Sequence, residues 1–437
     1  MNNYMLNNKD KLQTTAGKRI KLLEFIGDGG QGEVYRIEYE GSKDYALKWY
    51  FPHSSTQEQL EILKTLQKIG KPDNRFLWPI DIVTHMEKSE CFGYVMPFRP
   101  SNYQSANKLL SRSIEPSFFA LLTACYQLAD SFFQLHSKGL SYKDISINNI
   151  FIDPKTGYIL ICDNDNVAYE GINYSAVGGT PLYMAPEIVR GEATPNKYTD
   201  LYSLSILLFM ILYISHPLDG IRETAIRAKD DAAFKMLYGT NPLYIFNKTD
   251  TSNAPDPEFH ANAYAFHEIY PQKLKDTFEK AFTVGINEPE KRVEESVWRS
   301  LFIALRDNIV ICNKCGVELF YDIEKVKNGN SITCWGCQSE ASIPVRMKIN
   351  NDIVILNHYN KLFPHHTKGI LYDFTKATAE LSEHPTLKTK GLKNLSEDIW
   401  YVVKNDKSVY QVPPGRSFAL ENGAIVKFGL INAKIRI

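Results

Sequence analysis

The chain has 437 residues, with 50 basic and 50 acidic side chains and 44% hydrophobic residues. Balanced charge gives no whole-chain sign of a polyanion-binding surface, and the hydrophobic content supports ordinary globular cores. The length predicts two or three domains. Residues 1–17 lack an apolar signal-peptide core and are expected to be a flexible lead, and the apolar run 201–214 is too short to span a membrane. We therefore expect a cytoplasmic protein without membrane contact.

A glycine-rich stretch between two apolar, strand-like runs is the first informative feature. Gly27, Gly29 and Gly32 match Gly-x-Gly-x-x-Gly, and Val34 follows two residues later. Glycine lets backbone N–H groups approach phosphate oxygens closely. The strand that follows favours a phosphate-binding hairpin over a dinucleotide-binding turn, which would open a helix. An ordinary glycine-rich turn has the same pattern and remains the alternative.

A lysine lies within the next apolar strand. Lys48 belongs to the run Tyr-Ala-Leu-Lys-Trp-Tyr at residues 45–50. Lysine is rarely buried without a partner, so this position is unusual, and a solvent-facing lysine on an edge strand is the alternative. A helical stretch at about residues 56–70 follows.

Residues 142–163 carry the groups that phosphoryl transfer from ATP needs. Asp144 is followed five residues later by Asn149, and the apolar run 158–162 ends at Asp163. One carboxylate can orient an attacking hydroxyl and accept its proton, while an amide oxygen and a second carboxylate can hold Mg²⁺. The sequence therefore predicts a phosphotransfer site at these residues.

Residues 99–309 are expected to be largely helical because of their apolar spacing. They include the segment Gly-Thr-Pro-Leu-Tyr-Met-Ala-Pro-Glu at residues 179–187, and residues 240–270 are expected to be loop. Tyr174, Ser175 and Thr180 are candidate phosphorylation sites.

These motifs, in order from Gly27 to Arg292, resemble the protein kinase family over about residues 20–308. The resemblance implies an α+β, bilobal kinase fold, with a β-rich N-lobe and a helical C-lobe, over a domain at 18–309. It implies that Asp144 and Lys48 are catalytic and that Asn149 and Asp163 hold Mg²⁺ or Mn²⁺.

The resemblance also implies where ATP binds. The residues expected to contact it are Ile26, Gly27, Gly29, Gly32, Val34, Ala46, Lys48, Met96, Phe98 and Phe151. Glu187 should pair with Arg292, and Asp200 should anchor the catalytic-loop backbone. The segment at residues 179–187, with Thr180, resembles that of serine/threonine kinases more than that of tyrosine kinases.

The catalytic loop departs from the family pattern. Tyr142 and Lys143 replace the usual histidine and arginine, and Ser146 stands where a lysine is common. Lys143 keeps a positive charge but lacks the two-pronged geometry of arginine.

Two further departures concern the partners of the metal and of Lys48. Residues 163–165, Asp-Asn-Asp, replace Asp-Phe-Gly, so Asp165 is an alternative metal ligand, although the strand register favours Asp163. The helix that normally supplies a glutamate to the lysine has Gln59 at the matching position. Glu58 and Glu61 flank it, and the partner of Lys48 stays open.

Four cysteines form a second constellation, expected as a domain at 310–345. Cys312 and Cys315 make one Cys-x-x-Cys pair, and Cys334 and Cys337 make another. This spacing predicts a Cys₄ zinc ribbon with a structural Zn²⁺, and two disulfides or redox dithiols are the alternative.

The final part, 346–437, predicts a small all-β sandwich because β-branched runs alternate with turns. Its end faintly resembles forkhead-associated domains, which bind phosphothreonine, but a structural or docking sandwich is the preferred interpretation.

We interpret the chain as an ATP- and Mg²⁺-dependent kinase acting on Ser or Thr of a protein substrate. The Lys48 strand, the Asp-Asn-Asp segment and the cysteine ribbon together resemble bacterial kinases associated with tellurite-resistance-type stress operons. That resemblance implies stress signalling with phosphatase and von Willebrand-type domain partners. A pseudokinase scaffold that binds nucleotide and partner proteins without efficient transfer is the alternative. Nucleic-acid binding is not expected, because acidic residues offset the lysines of the ribbon.

Overall fold

The computed structural model describes residues 5–7, 9–87, 90–170, 179–323, 326, 331–350, 352–357, 361–369, 372–374, 376–384, 386 and 388–437. Tyr174 and Ser175 lie outside these residues. The chain forms two compact units, one of Met1–Glu268 with Gln272–Arg299 and one of Ile269–Pro271 with Ser300–Ile437. The division into three domains stays a prediction.

The first unit begins with a closed antiparallel barrel in the order β1-β2-β3-β4-β6-β5. Its strands are β1 (Leu12–Thr14), β2 (Arg19–Asp28), β3 (Gly32–Tyr39), β4 (Ser42–Tyr50), β5 (Asp81–His85) and β6 (Phe92–Pro97). β1 pairs with β5 and closes the barrel, so the expectation of a flexible lead was wrong for this strand. Alternate side chains of β3 point into an apolar core, as a half-buried strand requires.

Gly29 and Gly30 lie in the turn between β2 and β3, while Gly27 is near the end of β2 and Gly32 begins β3. A side-chain Cβ at Gly32 would lie 2.2 Å from the carbonyl oxygen of Trp49 on β4. Glycine is therefore required at this position because the neighbouring strand passes too close for any side chain.

Helix α1 (Gln57–Ile69) connects β4 to β5. The hydroxyl of Thr56 accepts the backbone N–H of Gln59 at 3.1 Å and caps its start, and Gly70 ends it with φ of 72°. Its buried face carries Leu63, Leu66 and also the polar Gln59. The helix therefore brings an amide side chain into the interior.

The rest of the first unit is mostly helical. Its helices are α2 (Asn107–Leu110), α3 (Phe118–His136), α4 (Pro186–Arg190), α5 (Lys197–Tyr213), α6 (Ile221–Thr224), α7 (Asp231–Lys235), α8 (Ala261–Ile269), α9 (Gln272–Phe282), α10 (Val284–Asn287) and α11 (Glu295–Asp307), the last of which continues into the second unit. Short strands among them are β7 (Gln104–Ser105), β8 (Leu140–Ser141), β9 (Ile150–Ile152), β10 (Ile159–Ile161) and β11 (Ala168–Tyr169). Helix α8 corrects the expectation of loop throughout 240–270.

Helix α5 contains most of the apolar run that the sequence shows at 201–214. Nearly all of its side chains are buried, as expected for a helix that is apolar on every face and lies inside a core. In the part of the chain that the structure describes, no helix has the length and apolarity to cross a membrane.

Beyond α11, the helical segments among the described residues of the second unit are short. Two hairpins, β12 (Ile309–Ile311) with β13 (Glu318–Phe320) and β14 (Ile332–Thr333) with β15 (Glu340–Ala341), carry the cysteines. The remaining elements are β16 (Arg346–Ile349), β17 (Asp352–Ile355), α12 (Pro364–Thr367), β18 (Ala379–Glu383), β19 (Lys390–Asn394), β20 (Trp400–Val403), β21 (Val409–Val412), β22 (Ser417–Ala419), β23 (Ile425–Lys427) and β24 (Asn432–Arg436). A sheet in the order β17-β16-β24-β23-β20-β21 and a sheet of β18-β19-β22 contribute to one apolar core around Trp400.

Candidate active site

A cavity of about 500 Å³ lies between the β2–β3 turn, strands β4 and β6 and the segment that follows β10. This volume is typical of a small-molecule site. Every residue that the sequence indicated for ATP contact lines it: Ile26, Gly27, Gly29, Gly32, Val34, Ala46, Lys48, Met96, Phe98 and Phe151. Asp144 and Asp163 also line this cavity, so the structure brings the predicted binding and catalytic side chains together.

Lys48 is buried on β4 and is surrounded by oxygen atoms. Its Nζ lies 2.8 Å from Oδ2 of Asp165, 3.2 Å from Oδ1 of Asp163 and 2.9 Å from Oε1 of Gln31. Burial acts to lower the pKa of Lys48, but the charges of Asp165 and Asp163 outweigh it and raise that pKa above its ordinary value. Lys48 is therefore a fixed cation at the wall of the cavity.

Asp165, rather than helix α1, supplies the buried carboxylate for Lys48. From the helix, Gln59 donates its amide N–H groups to the backbone carbonyl of Asp165 at 2.9 Å and to the hydroxyl of Tyr50 at 3.1 Å. Glu61, considered as a partner from the sequence, instead pairs with Lys64 at 2.8 Å. The helix thus reaches the site through a neutral side chain.

The two aspartates of the segment that follows β10 differ in their surroundings. Asp163 has a left-handed backbone with φ of 50°, and its side chain is 46% exposed on the cavity. The side chain of Asp165 is fully buried, and its Oδ2 contacts both Lys48 and the hydroxyl of Tyr50. Of the two carboxylates, only that of Asp163 is accessible from the cavity.

Asn164 occupies the position where the family pattern has phenylalanine. It is buried, and its amide nitrogen donates to the carbonyl oxygens of Leu77 and Ile161, both at 3.0 Å. An amide that satisfies two buried carbonyls fixes the segment between Asp163 and Asp165, where an apolar side chain would only pack.

Asp144 is oriented by hydrogen bonds from two directions. Its Oδ1 accepts the backbone N–H of Thr180 at 2.8 Å and the Thr180 hydroxyl at 2.7 Å. Asn149 donates its amide nitrogen to the backbone oxygen of Asp144 at 2.9 Å and to Oδ2 at 3.3 Å. Because the nitrogen of Asn149 is used in this way, its amide oxygen is the atom that can bind a cation.

A buried ionic network holds the backbone of the catalytic loop. Asp200 accepts the N–H of Tyr142 at 2.6 Å and of Lys143 at 3.0 Å, and it lies 3.1 Å from Nε2 of His136. The other ring nitrogen of His136 contacts Glu295. Burial acts to lower the pKa of His136, but both carboxylates raise it to about 9, so the imidazole is a cation.

Glu187 and Arg292 form the pair that the sequence indicated. Two guanidinium nitrogens of Arg292 contact the two carboxylate oxygens of Glu187 at 2.7 and 2.8 Å. Arg292 is buried and also donates to the carbonyl of Gly285 at 2.9 Å. A bidentate buried pair of this kind fixes the segment around Glu187.

The four cysteines of the second unit converge on one point. Their Sγ atoms all lie within 4.8 Å of one another, with 3.7 Å between Cys312 and Cys337 and 3.5 Å between Cys315 and Cys334. A disulfide bond is only about 2 Å long, so these thiols are not cross-linked. Tetrahedral zinc with Zn–S bonds of about 2.3 Å places its ligands at nearly these separations, so the donor set fits Zn²⁺.

Asp307, His365 and His366 are a second group with nitrogen and oxygen atoms within 4.8 Å of one another. Nδ1 of His366 accepts the N–H of Phe363 at 3.0 Å, and its Nε2 lies 2.9 Å from Oδ2 of Asp307. Since Nδ1 is the acceptor, Nε2 carries the proton and is not free to bind a metal. We assign no metal to this group.

Sequence reasoning missed Asp165 as the partner of Lys48, and it missed the contacts from Gln31 and Tyr50. One signal was present: a carboxylate is lost at Gln59 and gained at Asp165, relative to the family pattern. Nothing in the spacing of the residues links these two positions.

The barrel, the helical region and the cavity with its lysine and aspartates define a protein of the kinase class. The family model for the protein kinase domain matches residues 20–280, and the chain belongs to this family.

Curated relatives match the same region. The chain is 28% identical over 223 residues to the DNA damage-responsive serine/threonine-protein kinase RqkA of Deinococcus radiodurans, covering 49% of this chain and 32% of the relative. It is 26% identical over 226 residues to NUAK family SNF1-like kinase 2 of Rattus norvegicus, covering 50% and 34%. For protein kinase gsk3 of Schizosaccharomyces pombe, identity is 23% over 313 residues, covering 63% and 73%. The chain thus spans about a third of the length of the first two relatives.

Proposed function

We propose that this protein is an ATP- and Mg²⁺-dependent serine/threonine protein kinase. The observation that carries the proposal is the placement of Lys48, Asp144 and Asp163 on one cavity, with Asn149 hydrogen-bonded to Asp144. These are the groups that phosphoryl transfer uses, and each has a polar environment suited to its role.

In the proposed reaction, Lys48 and the backbone of the β2–β3 turn bind the phosphates of ATP. Asp144 orients a substrate hydroxyl, whose oxygen attacks the γ-phosphorus while its proton passes to the Asp144 carboxylate. The bond from the γ-phosphorus to the bridging oxygen breaks, and ADP leaves with that electron pair. Asn149 and Asp163 would hold Mg²⁺, which when bound neutralises phosphate charge.

Serine and threonine are the proposed acceptors because Thr180 is the residue by which the chain resembles serine/threonine kinases. It contacts Asp144 through both its backbone N–H and its hydroxyl. The names of two of the matched relatives, RqkA and NUAK family SNF1-like kinase 2, belong to kinases as well, and the first specifies serine/threonine.

The second unit supports a finer proposal. Cys312, Cys315, Cys334 and Cys337 would hold a structural Zn²⁺, because four thiolates complete its coordination and leave no position for a substrate. A role in bacterial stress signalling, with a phosphatase and a von Willebrand-type domain protein as partners, is proposed on the sequence resemblance. RqkA of Deinococcus radiodurans, to which the chain is similar, is named as a DNA damage-responsive kinase, which is compatible with such a role.

The test is incubation of the purified chain with γ-labelled ATP and Mg²⁺, beside Asp144→Asn. We expect label on serine or threonine with the parent, and transfer reduced by a factor of about 10²–10⁴ in the variant. Asp231→Asn, an exposed aspartate in α7, is the matched control and should label like the parent. Binding of ATP without any label from the parent, with generic protein substrates supplied, would support the scaffold alternative instead.

A further inference from the structure

The charge that pairs with Lys48 has a different origin here from the one in the protein kinase family pattern, where a glutamate of the helix supplies it. The helix position facing the site holds the neutral Gln59, and the additional carboxylate stands at Asp165, directly after the 46%-exposed Asp163 and the buried Asn164. The position that lacks a carboxylate and the position that has the additional one are in contact, because the amide of Gln59 donates to the backbone carbonyl of Asp165 at 2.9 Å.

Asp165 is paired with Lys48 away from solvent. Its side chain has no solvent exposure, and its Oδ2 lies 2.8 Å from the buried Nζ of Lys48. The hydroxyl of Tyr50 donates to the same oxygen, and Gln59 donates to that hydroxyl at 3.1 Å. A buried charge is tolerated when it is paired and hydrogen-bonded in this way.

Asp163 has a different environment, although it also contacts Lys48. It lies on the cavity with nearly half of its side chain exposed, and its Oδ1 is 3.2 Å from Nζ. A carboxylate in this position can turn toward a cation on the phosphates, whereas Asp165 does not line the cavity. The two aspartates can therefore serve the metal and the lysine separately.

We infer that Asp165 is the positioning residue for Lys48, taking the place of a helix carboxylate, and that Tyr50 and Gln59 hold Asp165 in place. This inference rests on the proposed kinase function and deepens it. Its consequence is that helix α1 supplies no charge to the ion pair of Lys48 and is joined to the site here only through the neutral side chain of Gln59. The position of the Asp163–Asp165 segment, fixed by Asn164, decides instead whether Lys48 is correctly placed.

The test moves the negative charge between the two positions. Asp165→Asn keeps the shape and removes the charge, and we expect kcat/KM for ATP to fall by about 100-fold because Lys48 loses its buried counter-charge. Gln59→Glu in the parent adds a second carboxylate beside Asp165 and should also lower kcat/KM.

The decisive variant is Gln59→Glu combined with Asp165→Asn, which places a single carboxylate on the helix. We expect kcat/KM for ATP to be at least tenfold higher than in Asp165→Asn alone. Gln59→Glu would then lower kcat/KM in the parent and raise it in Asp165→Asn. A purely structural role for Asp165 predicts no such reversal of sign. Additive losses in the double variant, or an Asp165→Asn protein as active as the parent, would overturn the inference.

Three controls separate the effect of the Asp165 charge from a general change in charge, from misfolding and from a lack of transfer activity. Glu61→Gln changes charge on the exposed side of the same helix and should leave kcat and KM as in the parent. Tyr50→Phe, which keeps the ring but removes the donor to Asp165, should lower kcat/KM in the same direction as Asp165→Asn, and it replaces that variant if Asp165→Asn does not fold. If the parent shows no transfer at all, affinity for a fluorescent ATP analogue should show the same reversal of sign. The proposed function would then have failed while the inference about Lys48 stands, and an affinity without the reversal would reject both.

Discussion

The cysteine cluster and the Lys48 site each bring several side chains close together. The residues of the cluster can be predicted from the sequence more completely than those around Lys48. Each cysteine pair is a local Cys-x-x-Cys turn, so two of the four thiolates are placed next to each other by their spacing in the sequence. The carboxylates of Lys48 come from 115 and 117 residues farther along the chain. Local spacing therefore identifies a ligand set, whereas the partner of a buried charge is decided by which elements the fold brings together.

The largest expected effect is in the cysteine cluster, where Cys334→Ser should abolish zinc binding. Structural zinc contributes on the order of 10 kcal/mol in small zinc-binding peptides, so the hairpins around the cluster should lose their fold. Elemental analysis for zinc, with limited proteolysis of residues 310–345, measures both effects. Cys91→Ser, at a thiol outside the cluster, should retain one zinc per chain. Equal zinc content in both variants, or none in the parent, would contradict the assignment.

Removing the cation at the other site should be the next largest effect. Lys48→Met leaves Asp165 buried without its positive partner, and we expect the free energy of unfolding to fall by about 3–5 kcal/mol. Urea denaturation measures this change. Lys64→Met, at an exposed lysine of α1, should change stability by less than about 0.5 kcal/mol. A Lys48→Met protein as stable as this control would show that Asp165 needs no counter-ion.

The buried His136, near the catalytic loop, should make the stability of the fold depend on pH. The pKa of His136 is about 9 in the fold, because Asp200 and Glu295 overcome the effect of burial, and about 6.5 when unfolded. Its contribution is therefore fully present below pH 6.5 and is lost as the pH rises through 9. This loss amounts to about 3 kcal/mol at most.

Unfolding free energies measured from pH 6 to pH 10 test the titration of His136. The parent should lose stability over this range, and His136→Gln should lose less because it cannot release that proton. Identical slopes in the two proteins would place the titration elsewhere.

The smallest expected effect concerns the amide of Asn164. Asn164→Leu restores an apolar side chain where the family pattern has one, but it leaves the carbonyls of Leu77 and Ile161 without this donor. We expect a loss of about 1–3 kcal/mol in thermal or urea unfolding. Asn107→Leu, at an exposed position, is the control. A more stable Asn164→Leu protein would mean that packing, not hydrogen bonding, governs this position.

Much of the active site could be predicted from the sequence because its parts lie in short motifs. Gly32, Lys48 and Asp144 each occur beside residues that fix their local backbone, so their placement on the cavity follows from local structure. The role of Asp165 could not be predicted in this way, since it depends on Tyr50 and Gln59 reaching the same oxygen-rich point from other elements.

The strands of the second unit show the same limit. The β-branched runs from which the sandwich is predicted lie at residues 353–356, 399–403, 409–412 and 424–428. They correspond to β17, β20, β21 and β23 in the structure. The runs did not indicate β18 or β19, whose sequences, Ala-Glu-Leu-Ser-Glu and Lys-Gly-Leu-Lys-Asn, contain few apolar residues. β19 pairs with β18 on one side and with β22 on the other, and this pairing supplies the order that propensity does not.

The pairing of Gln59 with Asp165 also has an evolutionary consequence. A lineage that moves the lysine's counter-charge from the helix to the segment after β10 must change two codons. Each single-step intermediate has either two buried carboxylates or none beside Lys48, and both conditions are costly. Substitutions at these two positions should therefore have been inherited together, and chains that differ at only one of them should be rare among descendants of a common ancestor.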